Sequence, residues 1–109
     1  MSGGSVGSEF LTSARKAASA AGYDPDALGL ARDGKHKLEY KTPEGRIVKF
    51  GSKSNKDFIQ YTDMERQGKI PKGKAAEHRR RYLARATKIK GDWKSDKYSP
   101  NNLAINILW

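Results

Sequence analysis

Cysteine is absent from this 109-residue chain, and histidine occurs twice. Without cysteine there are no disulfides, thiol nucleophiles or cysteine-based zinc sites. His36 and His78 have no second His or Cys at ligand spacing, so neither a metal site nor a cofactor is expected. No apolar run approaches the roughly 20 residues of a membrane-crossing helix. The N-terminus also lacks the basic-then-apolar order of a signal peptide, so no membrane span is expected. No nucleophile elbow, P-loop or dinucleotide fingerprint is present, which leaves a small-molecule ligand unexpected as well. A chain of this length fits one small domain. At 36% hydrophobic its core is modest, so five Tyr, three Phe and two Trp must carry much of the burial.

Charge of one sign, by contrast, is plentiful. The net charge is +10, and residues 69–97 hold 11 Lys and Arg against 3 Asp and Glu. So local an excess favours phosphate backbones or acidic surfaces.

Read in order, residues 1–8 form a Gly/Ser-rich leader and residues 9–109 a single domain. Glu9 to Ala21 is Ala-rich and helical in period, with Ser8 as cap and small residues that let another element approach. Asp24-Pro25 starts a short helical turn that ends near Gly29. Leu38 and Tyr40, a Thr42-Pro43-Glu44-Gly45 turn, then Ile47, Val48 and Phe50 predict one β-hairpin. Asn55 to Arg66 reads as a helix capped by Ser54 or Asn55. A basic helix follows over about 74–90, closed by Gly91, and Ser99-Pro100 opens an apolar helix over about 100–109. The fold class expected is therefore α+β, mainly helical with one short hairpin.

On the basic helix, Ala75, Tyr82, Ala86 and Ile89 share one side, with Leu83 at its edge. Lys74, Glu77, Arg81, Arg85 and Lys88 gather on the other. Arg79 interrupts the apolar side and calls for a carboxylate or an aliphatic stem that reaches water; Asp57, Asp63 and Glu65 are the nearest candidates. The candidate nucleic-acid-binding residues are Lys74, Arg80, Arg81, Arg85, Lys88 and Lys90, because guanidinium forks and ammonium charges suit phosphate. With no reading helix or half-site logic, contact is expected to the backbone and not to bases. About five phosphates bound on a duplex give a log–log salt slope near −4 to −5. Trp93, Tyr98 and Tyr82 either stack on unpaired bases or fill the core of a chain short of Leu and Val. Carboxylates Asp57, Asp63 and Glu65 suggest a nuclease only weakly, since such spacing is common on polar helices; no catalytic residue is assigned. The apolar C-terminal helix is expected to pack on the basic helix as a closing element. Leu103, Ile107, Leu108 and Trp109 are its candidate partner-docking residues.

The strings Gly34-Lys35-His36-Lys37-Leu38-x-Tyr40, Phe50-Gly51, Asp57-Phe58-Ile59-x-Tyr61, Arg79-Arg80-Arg81-Tyr82-Leu83-x-Arg85-Ala86, Gly91-x-Trp93, Tyr98-Ser99-Pro100-Asn101-Asn102-Leu103 and Ile107-Leu108-Trp109 together resemble a group of small basic proteins of uncharacterised function encoded by DNA viruses. The resemblance covers residues 34–109. It implies a viral origin, a place in the virion or in the nucleus or cytoplasm of an infected host cell, and capsid or other virion proteins as partners. It carries no catalytic residue. The expected function is a non-enzymatic minor virion component with a cationic face, the alternative being a sequence-independent nucleic-acid binder.

Overall fold

The computed structural model describes residues 8–109; the expected leader, but for Ser8, lies outside them. Helix α1 (Ser8–Ala20) takes in Ser8 and is followed by a 3-10 turn (Pro25–Ala27). Three strands come next: β1 (Leu28–Leu30), β2 (His36–Lys41) and β3 (Ile47–Ser52). Helices α2 (Phe58–Arg66) and α3 (Lys74–Ala86) form a pair, and a second 3-10 turn (Trp93–Ser95) leads to α4 (Pro100–Leu103). The chain then continues as a π-helical turn (Ala104–Leu108). The fold is α+β.

The expected hairpin is present, with Thr42 and Arg46 closing its turn and Gly45 at φ 91° inside it. It is not alone, however. Residues 28–30, expected to end a helical turn, form β1 instead, which gives an antiparallel meander in the order β1-β2-β3. Leu28 lies opposite Tyr40 and Leu38 opposite Phe50. Successive residues of a strand point to opposite faces. Leu28, Leu38, Tyr40, Val48 and Phe50 accordingly share the buried face, closed by Ala14 and Ala18 of α1 and by Leu103, Ala104, Ile107 and Leu108. The small α1 residues permit the close approach read from the sequence. Tyr23, Tyr40 and Tyr98 extend this core, with ring centroids 5.5 to 6.1 Å apart. Tyr98 is therefore a core aromatic.

The C-terminal helix starts as expected: Ser99 Oγ accepts from Asn102 N at 3.2 Å, and Pro100 takes the first position. Its packing corrects the expectation, because it lies mainly against α1 and β3 and reaches α3 through Trp109. Leu103, Ile107 and Leu108 are 0%, 2% and 1% exposed, so as partner-docking residues they are ruled out by their own core. The apolar run that suggests a docking face serves equally well inside the chain, and burying each such side chain stabilises by about 1.5–3 kcal/mol. The π turn brings Leu108 over Gly51, where an added Cβ would lie 2.6 Å from Leu108 Cδ1. Gly51 also has φ 77°, so both space and backbone require glycine.

Two helix boundaries also differ from expectation. α2 begins at Phe58 and not at Asn55, because Asp57 and Gln60 make a reciprocal capping box. α3 ends at Ala86, where Thr87 caps it and Lys88 and Ile89 turn away through short-range backbone bonds. Ile89 is consequently exposed and does not join the buried stripe.

Candidate nucleic-acid interface

On a bare hairpin Lys37 would face solvent, since it alternates with the buried Leu38. The segment from Asn55 to Gln60 folds over it and leaves it 2% exposed. Its ammonium donates to Asn55 O at 2.5 Å, Asp57 Oδ2 at 2.8 Å and Gln60 Oε1 at 2.7 Å. Three donors meet three acceptors, so the charge is fully partnered. Asp57 Oδ1 accepts in turn from Gln60 N at 3.0 Å, and Gln60 Oε1 from Asp57 N at 3.1 Å. The start of α2 is thus pinned to β2, which fixes the position of Lys56 and Tyr61.

The other end of α2 holds α3. Glu65 Oε1 accepts from the backbone of Gly73 at 2.9 Å and of Ala75 at 3.1 Å, satisfying amides at the start of α3 that have no partner within the helix. His78 then stacks on Tyr61, with centroids 3.9 Å apart and planes at 4°. Tyr82 stacks on Trp109 at 4.2 Å and 7°, and Trp109 leans toward Tyr61 at 6.2 Å. Two stacked pairs therefore make one aromatic wall.

Between α2, α3 and the chain end lies a cleft of about 420 Å³. Lys56, His78, Arg81 and Arg85 line it, and Lys37 and Asp57 close its inner end. Arg85 sits 5.9 Å from the Tyr82 centroid, on the ring face. Burial pushes the Tyr82 phenol up from its ordinary value while Arg85 opposes the shift, so the ring adds no negative charge at neutral pH. Glu77 is the acid on this helix. It accepts from Arg81 at 2.9 Å and from Lys74 at 3.4 Å. Lys74 first, then Arg81, holds the Glu77 carboxyl below its ordinary value.

Of the six residues expected to bind nucleic acid, Arg81 and Arg85 meet in the cleft. Lys74, which shares Glu77 with Arg81, does not line it, and neither does the exposed Arg80. Lys88 and Lys90 lie past the end of α3, so the single cationic row expected over 74–90 breaks at Ala86. Trp109, expected on a partner-facing surface, lines the cleft instead. Trp93 lies away from it, its indole N–H donating to Ile89 O at 2.7 Å. Lys56 and Tyr61 were missed as site residues; their signal is the Asp57-x-x-Gln60 capping box, which places one just before and one just inside α2. His78 has a partner signal at helical spacing, since it precedes Arg81 and Tyr82 by three and four residues.

Of the two outcomes expected for Arg79, a carboxylate partner or a stem that reaches water, the structure shows the second. Arg79 is exposed, donates from Nε to Trp109 O at 2.6 Å and lies 5.5 Å from the Phe58 centroid. Asp57, Asp63 and Glu65 are each engaged elsewhere: Asp57 with Lys37, Asp63 with Arg66, and Glu65 at the start of α3. Among the described residues, no three His, Asp or Glu side chains are gathered as a metal-holding group. No helix among them is long and apolar enough to cross a membrane. No protein-family model, curated protein or solved structure matches the chain.

Proposed function

We propose that the protein is a non-enzymatic, sequence-independent nucleic-acid binder whose contact surface is the cleft between α2 and α3. The observation that carries this reading is convergence: Lys56 from just before α2 and Arg81 and Arg85 from α3 reach one recess walled by the rings of Tyr61, His78, Tyr82 and Trp109. Guanidinium and ammonium groups there suit phosphate oxygens, and contacts to phosphate carry no sequence information. A place in a virion, implied by the resemblance, fits this reading if the cleft faces a packaged genome. The burial of Leu103, Ile107 and Leu108 in the chain's own core favours this reading over coat-protein docking through them.

The test is binding to a mixed-sequence oligonucleotide, annealed and single-stranded, across a salt series. With Lys56, Arg81 and Arg85 as the cations that line the cleft and are free of the buried network, about three phosphate contacts are expected, for a slope near −2 to −3. The Arg81→Ala/Arg85→Ala variant flattens that slope by about 1.5 to 2. Absence of binding in low salt by either strand form contradicts the proposal.

A further inference from the structure

We infer that the cleft seats one unstacked nucleotide of a single strand, its own and its flanking phosphates on Arg81, Arg85 and Lys56 and its base against the Tyr61–His78 and Tyr82–Trp109 wall. This rests on the nucleic-acid reading above and narrows it from any polyanion to single strands.

Three observations carry the narrowing. The first is size and shape. About 420 Å³ lies within the range of small-molecule sites, so the recess takes a nucleotide-sized group and cannot admit a duplex. A duplex keeps its bases stacked inside and would meet only the outer cations, leaving the aromatic wall in water. The second is the state of the rings. Tyr61, His78, Tyr82 and Trp109 are each half-buried, packed well enough to be held in place yet with surface turned to the cleft. Rigid, part-exposed rings beside cations are the common arrangement for single-strand binding, because every base offers a π-face. The third is the inner end of the cleft. Lys37, Asp57 and Gln60 bond to one another and to the local backbone, and no buried side-chain polar atom among the described residues lacks a partner. No buried group there is left for a particular base edge, so recognition rests on stacking and charge more than on sequence.

The test compares three probes at equal salt and equal phosphate number: an oligothymidine, a mixed-sequence duplex and an abasic oligonucleotide. Trp109 is read by fluorescence in a Trp93→Phe background. The oligothymidine should bind about tenfold tighter than the abasic strand, the effect of one stacked base, and should quench Trp109. Tyr61→Leu should remove that preference while duplex affinity stays within about twofold. The abasic probe keeps the test independent of how well the variant folds. Equal binding of all three probes without quenching overturns the nucleotide seat and leaves the cationic-cleft reading in place. Failure of all three to bind overturns both.

Discussion

On the sheet side of the molecule Leu28, Leu38, Phe50, Leu103 and Leu108 are at most 2% exposed, whereas α2 buries no residue and α3 buries Ala75 and Ala86. The first region is held by apolar contact. The second is held at its ends by polar links: Lys37 to Asp57 at one end of α2, Glu65 to the start of α3 at the other, and Arg79 to Trp109 O at the chain end. Regions with few buried apolar contacts open more easily than the core, and binding sites are often drawn from them. The α2–α3 pair thus depends on polar links and stacked rings more than on buried apolar area, and it carries the cleft.

The largest effect should come from the buried link between the two regions. Asp57→Ala leaves the Lys37 ammonium buried without its counter-charge, at a cost of about 3–5 kcal/mol in urea unfolding. A loss under about 1 kcal/mol would mean that the helices stay docked without the pair. Arg79→Ala removes an exposed hydrogen bond and a cation–ring contact, not a buried ion pair. Its cost should be about 1 kcal/mol, with a larger change in Trp109 fluorescence than in global stability. A loss of several kcal/mol would place Arg79 in the core. The smallest effect belongs to the polar turn between β1 and β2. There Asp33 accepts from the backbone and ring of His36 and from Lys35 N, which hold its carboxyl below its ordinary value. A depressed carboxyl stabilises above its unfolded value and loses that contribution as pH falls. The gap between wild type and Asp33→Asn should therefore be flat near neutrality, start to narrow as pH drops below 3.8, the ordinary value for this group, and go on narrowing toward the lower folded value. A gap that is unchanged in acid contradicts this.

Legibility in the sequence followed the same division. The apolar region was mostly readable: the turn at Thr42 to Gly45, the Ser99-Pro100 start and the small residues of α1 each have a local signal that the fold keeps. β1 was missed because three residues, Leu28 to Leu30, are too few to show alternation and follow directly on a Pro-led turn. The polar region was harder. Lys37 sits at a position that alternation assigns to solvent, and only the covering segment makes it internal. Arg81 and Arg85 were legible as a pair at helical spacing, but the end of α3 was not, since no Gly or Pro appears before Gly91 and the helix stops at Ala86 by turning its backbone bonds. Leu103, Ile107 and Leu108 gave an ambiguous signal, because an apolar run is the same whether it meets a partner or its own sheet.

Which surface meets nucleic acid is tested most directly by a nuclear magnetic resonance titration of the labelled protein with an oligothymidine. Shifts should concentrate on Lys56, His78, Arg81, Arg85 and the Trp109 indole, with Lys88, Lys90 and the Trp93 indole little changed. Shifts centred on Lys88, Lys90 and Trp93 would contradict it and move the interface off the cleft, to the segment beyond α3.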